Sequence, residues 1–224
     1  MDHEKISAEL DVLREFIDFV NRQVGVYCDC LSGFQGNKVR MERQIPRVQR
    51  PTSRRIVDGQ PVVAYVSVED PSRPDIVHHR IIRADEFINV NAEGAFNEQQ
   101  ICWAIIVFIF STWDEEIRPR IAAIRGIKPD DIMLNEMGDL RILRKAIIHN
   151  SGKVSAKEYA KLKVMTDLCQ PNTPLAFRHD EMHAVFVHVK RGIGRLINEH
   201  FGHLPGAPDP ASIIGVAISR NGQT

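Results

Sequence analysis

The spacing of apolar residues predicts a mainly helical chain. Over residues 3–24 apolar side chains recur every three or four positions, as in an amphipathic helix: Ile6, Leu10, Leu13, Ile17, Val20 and Val24. Four later helices are predicted, over residues 97 to about 125, 129 to about 149, from 155 onward, and 180 to about 200. Asn97 and the Ser155–Glu158 capping box suit helix starts, and Pro129 suits a first turn. The short loops between these helices are typical of antiparallel neighbours in a bundle.

A short β-hairpin is predicted between the first helix and the later ones. Residues 62–68 and 76–82 are rich in β-branched side chains, and they flank the turn sequence Asp70-Pro-Ser-Arg-Pro74. Two strands alone are marginally stable in water, so we expect the hairpin to pack on helices or gain a third strand. The apolar residues 213–218 are a candidate for that strand.

The predicted fold class is therefore mainly α, an antiparallel helical bundle with a small β-hairpin excursion. The chain has 224 residues, enough for one sizeable core, and we expect a single domain over residues 1–224. Within it, residues 38–90 are predicted to be a basic loop plus the β-hairpin insertion, and residues 205–224 a C-terminal tail.

The net charge of the whole chain is zero, but the basic residues are concentrated in one segment. With 29 basic and 29 acidic residues, any nucleic-acid-binding surface must be a local patch. Residues 38–55 supply one, because seven cations face the single acid Glu42, a local balance of 7 − 1 = +6. Pro46 and Pro51 argue against a continuous helix here. The segment is predicted to grip RNA backbone or, alternatively, to be a solvated loop or to pair with an acidic partner protein. Its cations are Lys38, Arg40, Arg43, Arg47, Arg50, Arg54 and Arg55.

Cysteine content and hydropathy indicate a cytoplasmic protein. The four cysteines and the lack of a signal peptide at the start favour a reducing compartment. The longest apolar run, residues 101–110, is too short to span a bilayer, so no membrane partner is expected. That run is apolar on almost every side, more than one neighbouring helix would bury. This favours a homodimer.

The candidate chemistry lies at the end of the predicted helix that stops near residue 149. Arg144 falls inside the apolar stripe of that helix, and an arginine stays charged, so its burial needs a partner or a reason. Five residues later, His149 sits at the helix end beside Asn150 and Gly152, which suit a C-terminal cap. Exposed carbonyl groups there favour a protonated imidazole.

This segment resembles the signature of the HEPN superfamily, small helical domains that include many metal-independent ribonucleases. The family mark is an arginine, a spacer of four to six residues, and a histidine often followed by asparagine and glycine. Arg144, His149, Asn150 and Gly152 match it, over a resemblance that covers roughly residues 98–201. Lys145 departs from the asparagine, aspartate or histidine that many members carry there.

The resemblance implies an RNA-cleaving toxin or defence effector, restrained by an antitoxin or sensor protein, that needs no metal or cofactor. His149 would move protons and Arg144 would hold the phosphate, with Lys145 and Asn150 in supporting roles. On a regular helix the side chains of Arg144 and His149 point about 140° apart. The family's composite site at a two-fold dimer interface would solve this problem.

Three alternatives stay open. Arg144 is a structural arginine if it pairs with Glu115 or Glu116, although the same carboxylates would also serve to orient it for catalysis. A non-catalytic HEPN-like adaptor would bind a nucleotide or a protein. A small metal enzyme would use His179 and His183, four residues apart, but their spacing to Glu181 is not that of metalloproteases and no third ligand is evident.

Overall fold

The computed structural model describes residues 3–48, 56–57, 59–68, 70, 72–73, 77–202 and 209–214. The chain is mainly helical with a small antiparallel sheet, which confirms the predicted class. It divides into two compact units, one of Met1–Tyr27 with Ile101–Thr224 and one of Cys28–Gln100. The predicted insertion, residues 38–90, lies within the second unit. Across the described residues, no helix is both long and apolar enough to cross a membrane.

Helix α1 spans His3–Val48, twice the predicted length. The expectation of a loop from residue 38 is wrong as far as Val48. The reason is a second apolar stripe at helical spacing, which continues the face of the first half: Tyr27, Leu31, Phe34, Met41 and Ile45. Pro46 is tolerated because it lies in the last turn, where the helix ends two residues after it.

Residues 96–125 are helical throughout, as predicted, but in three pieces. Helix α3 spans Phe96–Thr112, a π-helical turn spans Trp113–Ile117, and α4 spans Arg118–Arg125. Gly126 ends α4 in the left-handed conformation, with φ of 69°. In the first unit, Arg125 of α4 makes a bidentate ion pair with Glu9 of α1, whose side chain is completely buried.

Three of the four later helices lie close to their predicted positions, although the first of them begins at residue 135 rather than 129; the fourth was not predicted as a helix. Helix α5 spans Asn135–His149, α6 spans Ala156–Tyr159, α7 spans His179–Phe201 and α8 spans Pro210–Ile214. Ser155 is confirmed as the N-cap of α6, because its Oγ accepts a hydrogen bond from the Glu158 amide at 3.3 Å. The Glu158 carboxylate meets the Ser155 hydroxyl rather than its backbone amide, so only this half of the predicted capping box is confirmed, and α6 is only one turn long. Helices α5 and α7 pack closely at Gly192, where a Cβ would lie 2.8 Å from a carboxylate oxygen of Glu136.

The second unit contains the predicted hairpin and a third strand. Strand β2 (Gln60–Val68) pairs antiparallel with β3 (Val77–Arg83), in a register that joins Val62 to Arg83 and Val68 to Val77. The third strand is β1 (Ile56–Val57), paired with the start of β2. The expected C-terminal strand is wrong for residues 213–214, which are helical in α8, and residues 215–218 lie outside the described residues. Helix α2 (Ala84–Val90) follows β3 directly.

Candidate functional site

The end of α5 is fixed by a tight turn. Helix α5 stops at His149, and the amides of Asn150 and Gly152 both donate to the carbonyl of Ala146, at 3.0 and 2.9 Å. Gly152 has a φ of 76°, and a Cβ there would lie 2.6 Å from Cζ2 of Trp103. Only glycine meets both conditions. The predicted C-terminal cap is thus confirmed. It fixes the direction in which the backbone continues after His149.

His149 lines a cleft of about 350 Å³. One wall comes from the end of α5, with Lys145 and Asn150, and the other from α6 and its flanks. Three lysines face one glutamate, so the lining carries 3 − 1 = +2 when the imidazole is neutral. The second wall consists of Ser155, Lys157, Glu158 and Lys161. A histidine in a cationic cleft of this size is suited to a phosphate-bearing ligand.

Glu158 joins the two walls. Its carboxylate accepts a hydrogen bond from Lys145 Nζ at 2.5 Å, and that bond holds the pKa of the Glu158 carboxyl below its usual value. Ser155 Oγ lies 3.4 Å from the same carboxylate. Lys145 is therefore held in place by an acid of the opposite wall, whereas Lys157 and Lys161 make no ion pair within the described chain.

Asp139 positions the segment that follows the second wall. Its carboxylate, 1% exposed, accepts from three consecutive backbone amides, of Lys163 at 3.0 Å, Val164 at 2.7 Å and Met165 at 2.9 Å. Charge-assisted hydrogen bonds of this kind are stronger than neutral ones. They tie the chain just beyond Lys161 to the first half of α5, the helix whose end forms the other wall of the cleft.

Arg144 does not line this cleft. Its guanidinium carbon lies 5.7 Å from the centre of the Phe110 ring, a cation–π contact between α5 and α3. Its Nε is buried and has no hydrogen-bond partner in the described structure. Glu115 and Glu116 are exposed, and neither forms an ion pair with Arg144 there. The expected carboxylate partner, whether structural or orienting, is therefore not found.

Within one chain, Arg144 and His149 thus lie on different sides of α5, as the angle of about 140° between them on a regular helix requires. His149 faces the cleft together with Lys145, and Arg144 faces α3. Trp103 meets Gly152 and Phe110 meets Arg144, so α3 and α5 run antiparallel along this seam. Any site that uses both Arg144 and His149 needs a second copy of the chain or a local unwinding of α5.

The arginine-rich segment lies on the second unit. Arg40 and Arg43 are exposed on α1, and the backbone of Arg47 is helical. Arg40 donates to the amide oxygen of Asn37 at 2.8 Å. Arg50, Arg54 and Arg55, which were expected to share the same role, lie outside the described residues.

The histidine pair on α7 has no metal-site geometry. The His179 ring stacks on Tyr27 with 6.2 Å between ring centroids, and His183 is exposed. Within the described ranges, no group of three or more His, Cys, Asp or Glu residues is placed to hold a metal ion.

Sequence reasoning missed the role of five residues of the site: Lys157, Lys161 and Asp139, together with Ser155 and Glu158, which it predicted only as a capping box. Lys157 and Lys161 follow the capping serine at i,i+4 spacing, a pattern common on solvated helices. Asp139 had a clearer signal, because it is an acid on the buried side of α5, the same anomaly that identified Arg144.

No protein-family model, curated protein or solved structure matches this chain. The resemblance to the HEPN superfamily stays a prediction from the motif.

Proposed function

We propose that this protein is a metal-independent endoribonuclease with a HEPN-like helical bundle, and that His149 is its catalytic residue. The observation that carries the proposal is the cationic cleft that His149 lines with Lys145, Lys157 and Lys161. Because unrestrained RNA cleavage is toxic to a cell, we further propose a cytoplasmic toxin or defence effector that an antitoxin or sensor protein restrains.

The chemistry needs only groups that the chain supplies. The 2′-oxygen of a ribose attacks the adjacent phosphorus, so a bond from phosphorus to the 2′-oxygen forms while the bond to the 5′-oxygen breaks. Neutral His149 accepts the proton of the 2′-hydroxyl, and the resulting imidazolium returns a proton to the leaving 5′-oxygen. The products are a 2′,3′-cyclic phosphate and a 5′-hydroxyl.

The lysines of the second wall supply the charge for the phosphate. Lys157 and Lys161 are exposed cations with no carboxylate bound to them in the described chain, whereas Lys145 already holds Glu158. Cations aimed at oxygens on which charge develops stabilise the transition state. In this proposal Lys157 and Lys161 bind the phosphodiester, and Lys145 fixes the width of the cleft through Glu158.

Substituting both cleft lysines tests the proposal. The double variant Lys157→Gln, Lys161→Gln is expected to bind single-stranded RNA at least about tenfold more weakly, because two phosphate contacts are lost. The slope of log affinity against log salt concentration should fall by about 1.4, at ~0.7 per contact, in fluorescence anisotropy titrations. Lys5→Gln, Lys128→Gln removes the same charge from exposed sites elsewhere and should change neither quantity. Equal losses in both double variants would contradict a cleft-centred site.

We also propose that the active form is a homodimer through the open face of α3. Phe108, near the C-terminal end of that helix, is 60% exposed, and Ala104, Val107 and Ser111 beside it are only half-buried. A self-complementary pairing through this face would remove a large apolar side chain from water. Phe110, on which Arg144 packs, lies about 160° around α3 from Phe108, so this pairing face and Arg144 lie on different sides of the helix.

Phe108→Glu is expected to convert the dimer to a monomer, because a carboxylate at the centre of the pairing face would be buried without a partner. Sedimentation velocity over a range of protein concentrations measures this. Phe96→Glu is the matched control, because Phe96 is 62% exposed near the other end of the same helix and should leave the dimer intact. A wild-type chain that stays monomeric throughout would refute the dimer.

A non-catalytic adaptor is the second candidate function. This function is favoured because two adjacent cations of α5 already have partners: Lys145 binds Glu158, and Arg144 packs on Phe110. His149 is therefore left without an arginine in its own cleft. The adaptor would bind a nucleotide or a partner protein in the same cleft. RNA that binds the cleft without being cut, with an affinity unchanged by His149→Ala, would select this function.

A further inference from the structure

The second half of α1 presents arginines on one face. At 100° per residue, Arg40, Arg43 and the backbone position of Arg47 fall within about 60° of one another. The side chains of Arg40 and Arg43 are exposed. The apolar stripe from Tyr27 to Ile45 occupies the other side of the helix, so the arginine face is turned away from it.

Among the residues that the structure describes, no carboxylate forms an ion pair with Arg40 or Arg43. Glu42, the only acid among residues 38–55, lies about 160° around the helix from Arg40. Asp29 shares the face but lies about 16 Å away along the helix axis. Within the described chain Arg40 has one polar partner, the amide of Asn37, and Arg43 has none.

We infer that this arginine face, Arg40, Arg43 and Arg47 on α1, binds the phosphate backbone of RNA, as a surface separate from the cleft at His149. This inference rests on the proposed function only for the identity of the ligand, which is RNA. The three positions rise by about 4.5 and 6 Å along the axis, a spacing comparable to that of successive phosphates in an extended strand. Arginine binds phosphate oxygens through paired hydrogen bonds, which makes the contact strong and independent of base sequence.

The described part of the arginine face lacks the exposed apolar or aromatic side chains that a protein interface would require. Protein interfaces depend on a few large apolar or aromatic anchors. Between residues 28 and 46, α1 exposes no large apolar side chain. The nearest exposed apolar side chain on this helix is Val26, which is 43% exposed and precedes Arg40 by fourteen residues. Phosphate binding needs only the cations, so RNA fits this surface better than an acidic protein does.

The test compares two charge-matched triple variants of the full chain. The first variant, Arg40→Gln, Arg43→Gln, Arg47→Gln, removes the three positive charges of the arginine face. The control Arg22→Gln, Arg141→Gln, Arg191→Gln removes three exposed arginines from other helical positions. Glutamine keeps helix propensity close to that of arginine, and circular dichroism checks that the helix content is unchanged. The probe is a short single-stranded RNA with 2′-O-methyl groups, which cannot be cut by 2′-hydroxyl attack, so binding is measured whether or not the protein is a nuclease.

The face variant should bind this probe at least about tenfold more weakly at moderate salt, and its salt slope should fall by about 2, at ~0.7 per lost phosphate contact. The control should keep the wild-type slope. Equal slopes for the two variants would overturn the inference. So would unchanged RNA binding together with loss of binding to a polyglutamate peptide, which would assign the face to an acidic protein. Cleavage of unmodified RNA is scored separately, so failure of the nuclease proposal would not be mistaken for failure of this one.

Discussion

Replacing His149 with alanine is expected to lower the rate of RNA cleavage by about 10²- to 10⁴-fold, the usual contribution of a general acid–base group. His149 is the one histidine among the residues that line the cleft, whose other ionisable groups are lysines and a glutamate. The rate is measured under single-turnover conditions with protein in excess over labelled RNA.

The fold should survive this change, because His149 is exposed at the last position of α5. His183→Ala is the matched control, since His183 is also an exposed histidine, on α7 and outside the cleft, and should cleave at the wild-type rate. Activity that persists in the His149 variant would remove His149 from the mechanism and with it the proposed site.

The largest expected effect on stability is at Asp139. Asp139→Ala leaves three backbone amides without their shared acceptor and should lower the free energy of unfolding by about 3 kcal/mol or more. Asp139→Asn keeps one carbonyl oxygen and should lose roughly half as much. Urea denaturation followed by circular dichroism measures both. Asp167→Ala, an exposed acid in the next turn of the same segment, should stay within about 0.5 kcal/mol of wild type.

The Asp139 variants also test how the cleft is held together. Without the bonds to Lys163, Val164 and Met165, the segment after Lys161 is no longer tied to α5. RNA affinity should then fall even under conditions where the variant is folded, and it should fall more in Asp139→Ala than in Asp139→Asn. A destabilised variant that keeps wild-type RNA affinity would show that the cleft does not depend on this anchor.

Most of the helices could be predicted because their apolar residues repeat at helical spacing and their ends carry capping residues. The second half of α1 could not, because two local signals conflict. A break is favoured by three glycines and a proline: Gly25, Gly33, Gly36 and Pro46. The apolar stripe from Tyr27 to Ile45 instead favours a continuous helix. The apolar stripe prevails because a Cβ at each of these glycines would meet no described atom within 4 Å. The glycines therefore lower the helix propensity of the segment but leave no gap in its packing.

The candidate site could be predicted only in part. The position of His149 follows from the helix end, and its separation from Arg144 follows from helix geometry. The second wall depends on a contact between Asp139 and amides 24 to 26 residues later, which no local pattern reveals. For Arg144 the sequence suggested a carboxylate partner, but the structure supplies the ring of Phe110, because helix α3 presents an aromatic face along that seam.

The central claim is that the cleft at His149 cuts RNA without a metal ion, and the nature of the cut ends tests it most directly. RNA is incubated with the wild-type protein in EDTA, and the termini of the fragments are identified by mass spectrometry. We expect 2′,3′-cyclic phosphates paired with 5′-hydroxyls, and their loss in His149→Ala. Intact RNA, or fragments that carry 5′-phosphates and 3′-hydroxyls, would contradict it.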